Sequence, residues 1–417
     1  MAEMSLRLYP YQELGVQRLL LGNCILADEM GLGKTVTALS AAFRGGHRQI
    51  TVVCPLAAVG VWQEHVEMIP QLGSVTIVPY SRLGQCPIRG GLLICDEFHF
   101  CKNRKALRSS AIKRIARNYG TIWGLTGTPY VNHAADYWSL LNIIYPKDFK
   151  SYWKFVDLWC CYEFSPFTAM HKKVLPGAKD PAGFSAMLER YVLRRTKEQV
   201  GLQLPKVTEV VRHIPMTLQQ SGYHKAALKE ILLEMEAKNW LLPNAAVAYT
   251  RARQIAIDPR ILGAVEGGGK ISALANMCEE GERVIVFSEF VEALKIANST
   301  YPGYLYHGGL SSVQRGILLK KWRCDPDLKP LYMSRAAGGV ALTLTESAVC
   351  VFLDEPWTST DRAQAVARLV RIGQKRPVTV YSLRSVGSVE EHVLELQTGK
   401  RDAIAAVHDL LTERAKK

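Results

Sequence analysis

The sequence predicts an α/β protein with two parallel-sheet lobes flanking helical protrusions. Three observations carry that expectation. Short apolar runs alternate with helical patterns in two separate stretches. A mainly helical, aromatic and proline-bearing stretch separates them. A glycine-rich turn, Asp28-Glu29-Met30-Gly31-Leu32-Gly33-Lys34-Thr35, joins an apolar run to a helical pattern in the first stretch. Strands alternating with helices argue for a parallel sheet covered on both faces.

In chain order, the first lobe is expected over residues 1–148. Its strands are read at Cys24–Ala27, Gln49–Cys54, Ser74–Val78, Leu92–Cys95 and Thr121–Leu125. Each is a short Val/Ile/Leu-rich run, the signature of a strand buried on both faces. Residues 149–266 read as mainly helical protrusions and an inter-lobe link. Within them, Phe149 to Trp159 mixes aromatics with lysines, which suits either a small core or a base-stacking surface. Gly267-Gly268-Gly269 reads as a flexible joint. The second lobe, 267–417, has strands expected at Arg283–Phe287, Gly303–Tyr306, Pro330–Met333, Val349–Leu353 and Val378–Leu383, then a last helix from Val389.

Composition bounds the function. The 417 residues are 48% hydrophobic and 22% charged, which excludes a disordered chain. A net charge of +14 attracts polyanions, nucleic acid above all. The ten cysteines contain no C-x-x-C pair, and the spacing of Cys95, His99 and Cys101 fits no paired zinc pattern. With no secretory signal and no apolar stretch of membrane-spanning length, a reduced intracellular compartment is expected. That means cytoplasm in a bacterial or viral setting and nucleus in a eukaryotic one.

The glycine turn aims backbone N–H groups and a helix N-terminus at one small volume, which suits phosphate. Lys34 can reach outer phosphates, and the Thr35 hydroxyl can ligate Mg²⁺. The strict phosphate-loop pattern has glycine where Asp28 stands. Asp96 and Glu97 end a buried strand, where parallel sheets place ligands. Asp96 is expected to hold Mg²⁺ and Glu97 to polarise the attacking water. Thr126, in Leu125-Thr126-Gly127-Thr128-Pro129, suits a γ-phosphate, a DNA phosphate or an ordinary turn. Gln12 offers a donor and an acceptor to an adenine edge.

In the second lobe, Gln364, Arg368 and Arg371 follow i, i+4, i+7 and would share one helical face. Thr358 to Asp361 supplies capping residues. The other positions are apolar, so the arginines need anions: structural carboxylates, or a nucleotide phosphate as arginine fingers. Ser334-Arg335-Ala336-Ala337-Gly338-Gly339, Ser288 and His307 lie on loops after strands, where a DNA strand could run.

Together these residues closely resemble the Swi/Snf-like family of DNA translocases in helicase superfamily two. The matching segments are Tyr9–Gln12, Asp28–Thr35, Val53–Pro55 with Trp62, Asp96–His99, Leu125–Pro129, Arg283–Phe290, Ser334–Gly339 and Gln364–Gln374. More specific are Leu193–Lys197 with Leu204–Lys206, which looks like the family's inter-lobe link, Arg251–Pro259, Ile372-Gly373-Gln374 and Ser388–Gln397. The family's own phosphate loop begins D-E, which accounts for Asp28. Two departures stand out. Val370 replaces a common histidine, and Trp357-Thr358-Ser359 stands where the family has W-N-P.

The resemblance implies two RecA-like lobes, ATP and Mg²⁺ as cofactors, and ATP-driven movement on double-stranded DNA without full strand separation. Nucleotide contacts would come from Gln12 and from Asp28, Glu29, Met30, Gly31, Leu32, Gly33, Lys34 and Thr35. Lys34, Asp96, Glu97, Gln364, Arg368 and Arg371 would carry catalysis, with Thr35 and Asp96 on the metal. DNA contacts are expected at Thr126, Ser288, His307, Ser334, Arg335, Gly338, Gly339 and Trp357. A monomer on bare or forked DNA, or on single strands, is expected, with no membrane contact. Two rivals remain: a strand-separating or strand-annealing helicase, and a nucleotide-gated DNA clamp with little hydrolysis.

Overall fold

In the computed structural model of the chain, the described residues are 7–85, 90–127, 134–165, 168–202, 204–236, 242–335, 342–356 and 358–390. The chain divides into two compact units, residues 1–203 with 340–342, and residues 204–339 with 343–417. Each is built on a six-stranded, all-parallel sheet.

The strands of the first unit are β1 (Cys24–Leu26), β2 (Gln49–Cys54), β3 (Ser74–Pro79), β4 (Leu92–Cys95), β5 (Thr121–Leu125), the antiparallel hairpin β6 (Cys160–Ser165) and β7 (Thr168–Ala178), and β8 (Val192–Leu193). The sheet order is β3-β2-β4-β5-β1-β8. Its strands alternate between two cores. Leu92 and Ile94 pack with Trp62, Trp123 and Leu26 on one face. Leu93 and Cys95 pack with Phe98, Ile122 and Leu141 on the other. Period-2 alternation with both faces buried is what near-continuous apolar runs produce. Each fully buried Leu or Ile side chain is worth about 1.5–3 kcal/mol. Because β4, β5 and β1 are neighbours, the loops after Cys95, Leu125 and Leu26 emerge side by side.

The strands of the second unit are β9 (Val207–Ile214), β10 (Val284–Ser288), β11 (Tyr304–Tyr306), β12 (Leu331–Ser334), β13 (Val349–Phe352) and β14 (Val378–Ser385), in the order β11-β12-β10-β13-β14-β9. The loops after β12, β10 and β13 are again adjacent. Two RecA-like parallel-sheet lobes are the fold class that the sequence predicts, although these units take in residues 149–266, which the sequence reading set apart from lobes at 1–148 and 267–417.

Residues 149–266 hold more helix than strand, but strands are present too. They contain the β6–β7 hairpin, β8 and β9 as well as helices. β8 and β9 each extend a parallel sheet, in the first and second unit respectively. Phe149, Phe155 and Phe184 are buried in the same core as Leu93 and Cys95, whereas Trp153 is exposed. The glycine joint is corrected. The Gly268 N–H donates to Asp258 Oδ2 at 2.8 Å, and a Cβ there would lie 2.8 Å from the Ile257 carbonyl. A Cβ on Gly269 would lie 2.6 Å from the Pro215 carbonyl. These glycines permit close packing at the start of the helix Gly269–Glu279. The expected last helix, beyond residue 390, lies outside the described residues.

Candidate nucleotide site and the arginine cluster

The phosphate loop leaves β1 and enters the helix Lys34–Arg44. Gly31 (φ 91°) and Gly33 (φ 75°) hold left-handed conformations open to glycine at little cost. A Cβ at Gly33 would also strike Gln12 Nε2 at 2.4 Å. Gly33 caps the helix without a side-chain bond, and the first turn holds no acidic residue. Its leading N–H groups are therefore suited to an anion. Lys34 Nζ lies on the carbonyls of Asp28 (2.8 Å) and Glu29 (3.3 Å). Gln12 is buried, donating to the Leu32 carbonyl at 3.2 Å and accepting from the Tyr9 N–H at 3.0 Å. Met30 and Thr35 are half-buried, and Leu32 is buried.

Asp96 and Glu97 follow β4, and both are buried. Trp62 Nε1 donates to Asp96 Oδ2 at 2.9 Å. Burial, then repulsion from Glu97, pushes the Asp96 carboxyl up to about 6, opposed by Trp62 and Lys34. Glu97 takes a left-handed backbone (φ 46°, ψ 49°), uncommon outside glycine. His99 Nδ1 lies 3.1 Å from both Glu97 Oε2 and Thr126 Oγ1. Thr126 is fully buried, and its N–H donates to the Leu26 carbonyl at 3.0 Å. A Cβ on neighbouring Gly127 would meet Met30 Cγ at 2.4 Å and Lys34 Nζ at 3.3 Å. The phosphate loop, the carboxylates and the Thr126 turn therefore form one cluster, with the Thr126 hydroxyl on its inside.

Two adjacent buried carboxylates beside a lysine and an open helix start fit a nucleotide polyphosphate with a divalent cation. Such a cation relieves the repulsion that raises Asp96, and Thr35 and Asp96 are the residues that would hold it.

In the second unit the capping helix runs Ser359–Val366 and stops there, with the Thr358 hydroxyl accepting from the Asp361 N–H. Regular helix thus covers Gln364 and stops short of Arg368 and Arg371, which follow on turns, and Gln364 and Arg368 still line one cavity. The Arg368 carbonyl accepts from the Leu344 N–H at 2.9 Å. Arg371 folds back, donating from Nε to the Ala367 carbonyl at 2.8 Å and from Nη1 to Thr343 Oγ1 at 3.1 Å. Turn bonds continue beyond the regular helix, from the Leu369 and Val370 N–H groups to the Val366 carbonyl at 3.0 and 3.1 Å. Arg368 is buried against Met333, and with Gln364, Ala365, Phe287, Arg335 and Asp361 it lines a cavity of about 240 Å³.

Arg335 is paired with Glu289 and Asp361. Ser288 is buried and donates to Asp354, and Ser334 is buried beside it in register. His307 is half-buried, its Nδ1 accepting from the Gly309 N–H at 3.2 Å. Gly338, Gly339 and Trp357 lie outside the described residues.

Sequence reading passed over Arg253. It is buried against Asp354 Oδ2 at 3.2 Å and donates to the Glu355 carbonyl at 2.7 Å. Its place in the Arg251–Pro259 segment was the available signal. Lys270 and Glu390 form a second buried pair at 2.6 Å.

Comparison with known proteins agrees with this architecture. The SNF2-related domain matches residues 16–82 and 74–260, and the helicase conserved C-terminal domain matches residues 269–373. The chain belongs to the SNF2-related family. It is a Swi/Snf-type ATPase core of helicase superfamily two.

The mouse "Chromodomain-helicase-DNA-binding protein 1-like" is 28% identical over 95% of this chain and 49% of its own length. The Arabidopsis thaliana "ISWI chromatin-remodeling complex ATPase CHR11" is 27% identical over 89% of this chain and 40% of its own. The Aspergillus fumigatus "TATA-binding protein-associated factor mot1" is 25% identical over 96% and 27%. This ATPase core thus spans about half or less of the length of these relatives. The solved "Sulfolobus solfataricus SWI2/SNF2 ATPase core in complex with dsDNA" shares 24% identity, with a TM-score of 0.44 over 95% of this chain and 92% of that one. No described helix is long and apolar enough to cross a membrane.

Proposed function

We propose that this ATPase core hydrolyses ATP in response to double-stranded DNA and couples the reaction to movement along it. The observation carrying the reading is the cluster of Lys34, Asp96, Glu97, His99 and Thr126 at the strand ends of the first unit, on a chain whose second unit holds Arg368 and Arg371. Gln12 contacts adenine. The loop from Asp28 to Thr35 cradles the phosphates, with Lys34 leaving its carbonyl partners for them. Glu97 accepts the proton of the attacking water, and His99 holds Glu97 in place. Mg²⁺, held by Thr35 and Asp96, would supply charge neutralisation on the phosphates. Arg368 and Arg371 neutralise charge developing on the transferring phosphoryl group, a role worth roughly 10³–10⁵ in rate. Turnover then depends on the second unit, which ties chemistry to motion.

The net charge of +14 and the family support DNA as the stimulating polyanion. Bare or forked DNA is the proposed track, and Ser288, His307, Ser334, Arg335, Gly338, Gly339 and Trp357 are its proposed contacts. The test is ATP turnover with duplex, forked and single-stranded DNA and with RNA, beside triplex-displacement and strand-displacement assays. Duplex-stimulated turnover with triplex displacement is expected, and it should be abolished in Lys34→Ala and Arg371→Ala proteins that melt normally. Near-normal rates in either variant overturn the reading. Strand displacement without triplex displacement would favour a helicase, and DNA binding without turnover a clamp.

A further inference from the structure

The first position of the phosphate loop is an acid, and it sits where a polyanion is to be received. Asp28 is 1% exposed. Its carboxylate is gripped bidentately by Arg195, with Nε to Oδ1 at 2.9 Å and Nη2 to Oδ2. The same guanidinium donates from Nη1 to the Tyr11 carbonyl and lies 5.6 Å from the Tyr11 ring centroid. Tyr11 and Gln12 in turn donate to the Leu32 carbonyl within the loop. Gly15 leaves room for the arrangement, since a Cβ there would lie 3.0 Å from Arg195 Nη2.

Arg195 arrives from β8, and the parallel ladder continues past the strand. The N–H groups of Ile25, Ala27 and Glu29 donate in turn to the carbonyls of Tyr191, Leu193 and Arg195, at 3.0, 2.7 and 2.9 Å. Lys197 closes the clasp, its N–H on Glu29 Oε2 at 2.8 Å and its Nζ 3.4 Å from Oε1. The chain passes to the second unit soon afterwards, at Leu204.

We infer that Arg195 is a positioning residue for nucleotide binding: it neutralises Asp28 and fixes the phosphate loop and the Gln12 helix to the segment that leads into the second unit. A strict phosphate loop has glycine at this position and needs no counter-charge. Here an unpaired Asp28 would face the triphosphate as a like charge in a site of low exposure, where repulsion is weakly screened. The bidentate fork makes arginine the fitting residue, because lysine supplies the charge without the planar geometry. This inference rests on the ATP reading above.

The experiment measures the Kd of a fluorescent ATP analogue, the KM and kcat for ATP, and the melting temperature. The proteins are wild type, Arg195→Ala, Arg195→Lys, Asp28→Asn and the double variant Asp28→Asn/Arg195→Ala. Arg195→Ala should weaken analogue binding and raise KM by roughly tenfold or more, with kcat at saturation changed much less. Removing the carboxylate should rescue it, the double variant binding within about threefold of Asp28→Asn. Arg195→Lys should fall between wild type and Arg195→Ala. If Arg195→Ala does not fold, the double and lysine variants decide by the same order of affinities. A folded Arg195→Ala protein that binds the analogue as wild type does, or a double variant as weak as Arg195→Ala, overturns the inference and leaves the ATP reading standing. Failure of wild type to bind the analogue overturns the ATP reading itself.

Discussion

Trp62→Phe tests how the acidic strand end is tuned. The indole Nε1 donates to Asp96 Oδ2 at 2.9 Å, with Trp62 fully buried and Asp96 nearly so. This bond stabilises the ionised carboxylate against burial and against Glu97, which together hold Asp96 at about 6. Phenylalanine keeps most of the ring and removes the donor. A hydrogen bond to a charged group is worth roughly 1.5–3 kcal/mol, and about 1.4 kcal/mol corresponds to one pH unit of ionisation. The acidic limb of kcat/KM for ATP should therefore move upward by roughly one to two pH units. The assay is a pH–rate profile of both proteins between pH 5 and pH 9, with melting curves at each end to separate unfolding from titration. Rates converging at high pH with a displaced limb are expected. A limb that stays in place, with both proteins folded, refutes the assignment of Trp62 as the group that keeps Asp96 ionised.

Three further outcomes follow from the same geometry. A carboxyl raised in the folded state binds its proton more tightly there than when unfolded, so Asp96 costs stability as pH rises from its unfolded value toward about 6. Added Mg²⁺ should offset that cost, raising the melting temperature more at pH 7.5 than at pH 5; equal shifts at both would count against Asp96 as a ligand. Arg253→Met leaves Asp354 buried without its guanidinium and should lower stability by about 3–5 kcal/mol in urea titration, whereas a loss below 1 kcal/mol would show the pair to be dispensable. If about six phosphate contacts form, duplex affinity should fall with salt at a log–log slope near −5, and a slope near zero would exclude electrostatic tracking of the backbone.

Much of this architecture was legible in the sequence because central parallel strands are short runs of Val, Ile and Leu. Gln49–Cys54, Leu92–Cys95 and Thr121–Leu125 were delimited from that signal alone. The edge strands β8 and β9 lack it. β9, Val-Thr-Glu-Val-Val-Arg-His-Ile, carries charge at an exposed edge, and β8 is two residues long inside a basic segment. The hairpin β6–β7 mixes aromatics with lysines and shows no clean alternation. The arginine segment fails for another reason. Its apolar residues repeat as a helix would, but regular helix gives way to turns after Val366, and the Arg368 carbonyl and the Arg371 guanidinium bond to Leu344 and Thr343, contacts that periodicity does not register. The phosphate loop and Asp96-Glu97 were recognisable because the chemistry fixes residue type and spacing together. The pairing of Arg195 with Asp28 was not, since the two are distant in sequence and only folding brings them together.

The position of β9 has a consequence for biosynthesis. This strand is made before any other in its sheet, yet it hydrogen-bonds to β14, the last to be made. At translation speeds of roughly 5–20 residues per second, the nascent chain carries it without that neighbour for on the order of ten seconds or longer. Glu209 and His213 on its exposed positions then act as sentinels against sticking to other unfinished chains. Replacing both with valine should leave the finished protein close to its normal stability while lowering the soluble yield from cells.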